Sequence, residues 1–135
     1  MNNEYFATAE SVAAGHPDKV ADAISDAILD AHLAADPQAR VAAETLVHAH
    51  PSRPTGQVTL AGEITSRAAG AVDHEAIVLR VLRRIGYTDI DKHGFAAEEV
   101  TVVDAIGQQS REIHQAAKKG AGDQGIVYGY ATRAT

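Results

Sequence analysis

The chain has 135 residues, enough for one domain or one and a half, and no internal repeat. It has no cysteine, which excludes disulfides, thiolate metal sites and a cysteine nucleophile and fits a reducing compartment such as the cytoplasm. Twelve basic against 18 acidic residues give a net charge of −6, with Arg83-Arg84 and Lys118-Lys119 the only tight basic pairs, so no nucleic-acid surface is expected. No apolar run approaches 18 residues, so no membrane span is expected. Met1 to Glu4 carry no basic or apolar run, so no leader is expected either.

The hydrophobic share of 45% overstates the core, because 27 of those residues are alanine. Val, Ile, Leu and Phe together number 29 of 135. A core this thin often needs neighbouring surface from another domain or subunit.

In chain order, residues 17 to 35 read as a helix, with Val20, Ile24, Ala27, Ile28 and Ala31 on one stripe. Pro17 suits the first helical position, and Asp36-Pro37 ends the run. Residues 40 to 48 alternate as a strand, with Val41, Ala43, Thr45 and Val47 opposed to Glu44 and Leu46. Residues 57 to 65 alternate again, with Val58, Leu60, Gly62 and Ile64 opposed to Ala61 and Glu63. The link from Ala49 to Gly56 is polar and turn-like, so the two strands form an antiparallel hairpin with a loose loop.

A second helix covers about 73 to 85, with Asp73 as its N-cap, Gly86 as its stop and Ile77, Val78, Val81, Leu82 and Ile85 as its stripe. A third strand follows at 100 to 106, then a polar, glycine-bearing stretch from Gly107 to Gly125, then a short strand from Ile126 to Ala131. The expected fold is α+β: a mainly antiparallel sheet with two helices packed on one face, in a single unit spanning 1–135.

Three places invite chemistry. Gly15-His16-Pro17-Asp18-Lys19 enters the first helix, where free N–H groups and the positive dipole end suit phosphate. His16 and Lys19 suit phosphate oxygens, and Asp18 is the single carboxylate that magnesium takes from protein when phosphates supply the rest. The same five residues also read as a proline-initiated helix with solvated charges. Second, Glu44 and Glu63 share a sheet face if the hairpin register sum is odd, and such a pair calls for a cation. Otherwise one or both point into solvent. Third, Gly120-Ala121-Gly122-Asp123-Gln124-Gly125 permits close backbone approach to a ligand, or is a plain surface loop. His32, His48, His50, His74, His93 and His114 form no helical zinc pair and read as surface or loop residues.

Collinear over nearly the whole chain, these segments resemble the N-terminal part of S-adenosylmethionine synthetase (methionine adenosyltransferase). The matching stretches are Thr8 to Val12, Gly15 to Lys19, Ala21-Asp22, Ile24 to Ala27, Ala39 to Thr45 and Gly62 to Thr65. They continue with Ile85 to Tyr87, Ala105 to Gly107, Gln109-Ser110, Gly120 to Gly125 and Gly129 to Ala131.

The resemblance implies S-adenosylmethionine synthesis from ATP and L-methionine, with magnesium and potassium. It implies that His16 contacts the phosphate beside the reacting carbon and that Lys19 and Glu10 lie near the site. Asp18 would ligate magnesium, Glu44 would serve potassium, Glu63 and Gln109 would hold methionine, and Asp123 would lie by the adenosine. It also implies an oligomer, homo- or hetero-, with sites between subunits.

Three departures stand out. The family chain is nearly three times longer, and its later part supplies further phosphate and magnesium ligands. Ala49 to Thr55 looks like an insertion in the hairpin. Ser110 to Gly120 is short for the family's gating loop, with Arg111 in place of a common proline. The expectation is therefore one subunit or fragment of a synthetase, completed by other chain. A non-catalytic subunit that regulates a synthetase is the alternative.

Overall fold

A computed structural model describes residue 6, residues 8–108 and residues 129, 131 and 133. The helix α1 runs Pro17–Ala35. Strands β1 (Arg40–Ala49) and β2 (Gly56–Thr65) follow, then α2 (His74–Ile85), a single turn α3 (Ile90–His93), a 3-10 turn at Ala97–Glu99, and β3 (Val100–Asp104). Of the short strand expected at 126 to 131, only residues 129 and 131 are described, and neither is in a strand. The α+β class holds, and both long helices cover one face of a sheet ordered β1-β2-β3.

β1 and β2 pair antiparallel over ten residue pairs, from Arg40 opposite Thr65 to Ala49 opposite Gly56. This is the odd-sum register. β3 pairs with β2 in parallel, from Gly56 beside Val100 to Leu60 beside Asp104. The parallel pairing follows from α2, which carries the chain back across the sheet before β3 begins. Two short elements, α3 and the 3-10 turn, were not legible as elements in the sequence, because four and three residues carry no readable period.

One side of the sheet holds the core. Val20, Ile24 and Ile28 of α1 meet Val58, Leu60 and Ile64 of β2 and Ile77, Val78, Val81 and Leu82 of α2. Val41, Ala43, Val47, Val100 and Val102 pack partly buried around them. The Ser25 and Thr45 hydroxyls, 2.8 Å apart, tie α1 to β1. On the other face Glu44, Leu46, Ala61 and Val103 stand exposed.

The C-terminus of α1 is held by a buried carboxylate. Asp36 accepts from the Arg67 guanidinium at 2.8 Å, from the Arg67 backbone N–H at 2.9 Å and from the Gln38 N–H at 3.1 Å. The Arg67 side-chain and backbone hydrogen bonds hold the Asp36 carboxyl well below the usual carboxylate range. His32 and His74 correct the reading of those histidines as surface residues: His32 is fully buried and the His74 side chain nearly so. Each occupies an inward helical position where the pattern lacks an aliphatic residue, and each is paired.

Gly62 adopts φ 104°, and a Cβ there would meet the Ala42 carbonyl oxygen at 2.0 Å. Gly62→Ala is expected to destabilise the chain by about 3 kcal/mol or more. Gly70→Ala, with open space around it, should be near neutral. Urea unfolding of both variants checks the contrast. Because the Asp36 pKa is lowered on folding, its stabilisation is full above the ordinary aspartate value and fades as pH falls. Arg67→Gln should therefore start less stable at neutral pH and lose less stability than the parent below about pH 4 in thermal melts.

Candidate functional site at the start of the first helix and the open sheet face

Helix α1 begins on its own side chain. The Asp18 N–H donates to His16 Nδ1 at 3.2 Å, which caps the helix and leaves Pro17 in the first turn. With Nδ1 accepting, neutral His16 carries its hydrogen on Nε2. An exposed imidazole N–H therefore stands at the positive end of a 19-residue helix, where Pro17 has no N–H and the Asp18 and Val20 N–H groups are bonded, which leaves the Lys19 N–H beside it.

The turn before it is fixed from two sides. The His16 N–H donates to the Ala13 carbonyl at 3.0 Å, and the Tyr87 hydroxyl donates to the Gly15 carbonyl at 3.0 Å. Tyr87 stacks on Phe95 with centroids 4.7 Å apart, and its own carbonyl accepts from the Ala97 N–H at 2.8 Å. A Cβ on Gly15 would lie 3.1 Å from that hydroxyl, so the absent side chain admits the tyrosine. In sequence, the one signal for Tyr87 is its place directly after the Gly86 stop.

The structure brings Asp18 and Glu44 together. With Ala21, Asp22, Ser25, Ala43 and Thr45 they line one pocket of about 310 Å³ at the β1 edge. Asp22 was not singled out from sequence, yet it lies in this pocket and holds Lys19 at 3.5 Å. The i, i+4 spacing from Asp18 to Asp22 was the available signal.

Glu44 stands opposite Ala61, and Glu63 opposite Ala42. The two carboxylates thus share the open face as diagonal neighbours, one of the two outcomes left open by sequence. Glu63 does not line the Asp18 pocket. It has its own neighbour: Gly107 bridges alongside Glu63, with the Ile64 N–H donating to the Gly107 carbonyl and the Gly107 N–H to the Gly62 carbonyl, both at 2.9 Å. The chain therefore passes Glu63 two residues before Gln109. Gln109 and Asp123 lie outside the described residues, and Glu10 is exposed ahead of α1.

Among the described residues, no three carboxylate or imidazole groups gather into a metal cage. A lone carboxylate beside a helix N-terminus suits a magnesium ion that arrives with phosphates, rather than one held by protein alone. Among the described residues, no helix is long and apolar enough to cross a membrane.

Comparison with known proteins points to one family. The family model described as S-adenosylmethionine synthetase, N-terminal domain, matches residues 4–111. The S-adenosylmethionine synthase of Salinibacter ruber is 51% identical over 135 residues, covering 97% of this chain and 33% of the relative. Those of Cytophaga hutchinsonii and Porphyromonas gingivalis are 48% and 47% identical, each covering 97% of this chain and 30% of the relative. The chain spans about a third of the length of the curated relatives it matches.

Two carboxylates on one open face do nothing for the fold. Glu44→Gln is expected to leave the melting temperature unchanged or to raise it slightly, by no more than about 0.5 kcal/mol of stability. The gain should shrink in high salt, and melts at low and high ionic strength check it.

Proposed function

The chain belongs to the S-adenosylmethionine synthetase family, and from that premise we propose that it supplies one part of a methionine adenosyltransferase site, forming S-adenosylmethionine from ATP and L-methionine. The methionine sulfur attacks ribose C5′, the C5′–O bond breaks, and tripolyphosphate leaves and is then cleaved by water. The main catalytic demand is stabilising charge on the departing polyphosphate.

One observation carries the reading: the pocket that joins Asp18, at the start of α1, to Glu44 on β1. It sets a helix N-terminus, which favours phosphate, beside carboxylates that favour cations. In this proposal the exposed Nε2–H of His16 donates to the phosphate oxygen next to C5′. Lys19, drawn from its pairing with Asp22, neutralises a further oxygen. Asp18 holds magnesium and Glu44 serves potassium. Magnesium, when bound with the polyphosphate, supplies positive charge against its oxygens.

Glu63 faces the methionine ammonium and Gln109 holds the same substrate, which agrees with the chain passing Glu63 at Gly107. Asp123 lies by the adenosine and Glu10 near the site. One carboxylate for magnesium and few basic groups for the phosphates are too few for a tripolyphosphate with magnesium. The remaining phosphate and metal ligands come from sequence outside these 135 residues or from a partner subunit, in a cytoplasmic homo- or hetero-oligomer.

The test mixes this chain with the Salinibacter ruber relative lacking its N-terminal third, with ATP, methionine, magnesium and potassium. Product is expected only from the mixture, and His16→Ala should lower it about 100-fold or more. Equal activity from the His16→Ala mixture overturns the reading.

A further inference from the structure

Behind the sheet, on the side away from the carboxylate pair, three titratable groups stand in a row. His74 Nδ1 lies 2.7 Å from Asp104 Oδ2, and His74 Nε2 lies 3.0 Å from His32 Nε2. The far nitrogen, His32 Nδ1, is buried with no partner. The three come from different elements: His32 from the last turn of α1, His74 from the first residue of α2, and Asp104 from the end of β3. A pocket of about 260 Å³, lined by His32, Ile64, Val72, His74, Asp104 and Gln108 among others, adjoins them.

The hydrogens follow from the partners. Asp104 accepts, so His74 carries a hydrogen on Nδ1. Neutral His74 then has its lone pair on Nε2, and His32 must donate from its own Nε2. One added proton goes to His74, beside the Asp104 carboxylate. The bond between the rings survives with its direction reversed: His74 Nε2–H now donates, and His32 carries its hydrogen on Nδ1. A second proton leaves two N–H groups facing each other at 3.0 Å with no lone pair between them, and two buried positive charges.

We propose that His32, His74 and Asp104 form a one-proton relay, buried at the two histidines and open to solvent at Asp104, that latches α1, α2 and β3 together and opens when a second proton enters. Burial, and then the neighbouring His74 charge, push the His32 pKa down, in keeping with a resisted second step. The other charged groups on the surrounding elements are engaged or turned away. Asp36, one turn beyond His32, is held by Arg67, and Asp73 caps the Ala76 N–H. Glu75 is exposed, and Glu63 lies on the opposite face of β2.

Opening has a defined consequence. Asp104 Oδ1 also accepts from the Ile106 N–H at 3.0 Å, and the next residue, Gly107, is the one bridged to Glu63. Release of Asp104 therefore frees the tip of β3 beside Glu63. The relay itself needs none of the ligand roles proposed above.

Imidazole nitrogen NMR of the 135-residue chain between pH 8 and 4.5 tests it. His74 is expected as the Nδ1–H tautomer at high pH, whereas an unconstrained imidazole favours Nε2–H. The pair should take its protons in two separated steps, the second coinciding with loss of native signals. Asp104→Ala should remove the Nδ1–H preference of His74. The double variant His32→Leu/His74→Leu should lack the fall in melting temperature expected of the parent between about pH 6 and pH 4.5, above the range in which Asp36 acts. The proposal is overturned if both rings titrate independently near the ordinary histidine value as Nε2–H tautomers. It is equally overturned if the double variant and the parent decline in parallel with acid.

Discussion

Ten consecutive residue pairs hold β1 against β2, and a side-chain period of two makes that register an all-or-none choice. With Arg40 opposite Thr65, Val58, Leu60 and Ile64 turn under the helices, and Glu44 and Glu63 turn to the open face. A slip of one residue would put the two carboxylates on opposite faces, and with β2 turned over it would bury Glu63 and expose the three aliphatic side chains. Gly62 sits at the tightest point of this pairing, where the Ala42 carbonyl occupies the space of a side chain. The close approach lies one residue from Glu63. The constraint that selects the core thus also places the candidate ligand face.

The covered face and the open face divide the work. Both long helices lie on one side, and the core gathers under them. The other side carries Glu44 and Glu63 together with exposed Leu46 and Val103. The start of α1 reaches past this division at the β1 edge. There Asp18 and Asp22 of the helix share a pocket with Glu44 of the strand. Tyr87 secures that reach: its hydroxyl holds the Gly15 carbonyl while its ring stacks on Phe95. An element just past the second helix therefore fixes the entrance to the first.

Much of this was legible because long periodic segments state their own limits. Pro17 and Asp36-Pro37 mark both ends of α1, and Asp73 and Gly86 mark those of α2 through a side-chain acceptor and a positive φ. The alternation of β1 and β2 was equally plain, but their register was not, since it depends on the partner strand rather than on either run alone. The parallel placement of β3 was invisible for the same reason. His32 and His74 read as surface residues from sequence because neither joins a helical zinc pair. Only the tertiary pairing explains why the interior accepts them. Asp36 was read as a helix stop, and its hold on Arg67 spans 31 residues of sequence. Gln109 and Asp123 lie outside the described residues, and their proposed roles rest on the resemblance.

Partners separate the acids that build the fold from those free to bind. Asp36 is buried and has three hydrogen bonds, so its charge is spent on joining α1 to the loop after β2. Asp73 and Asp89 are spent on capping short stretches of backbone. Among the described residues, no ion pair engages Asp18, Glu44 or Glu63, although the fold sets the first two in one pocket and the last two on one face. Placing like charges together without a counter-charge works against the fold, so their placement makes physical sense where a cation or a cationic ligand joins them. Asp104 belongs to neither group. One oxygen is spent on the turn at Ile106 and the other on His74, so its charge serves both the shape of the β3 tip and the proton balance of the histidine pair. That double use ties the acid response of the buried histidines to the strand end beside Glu63.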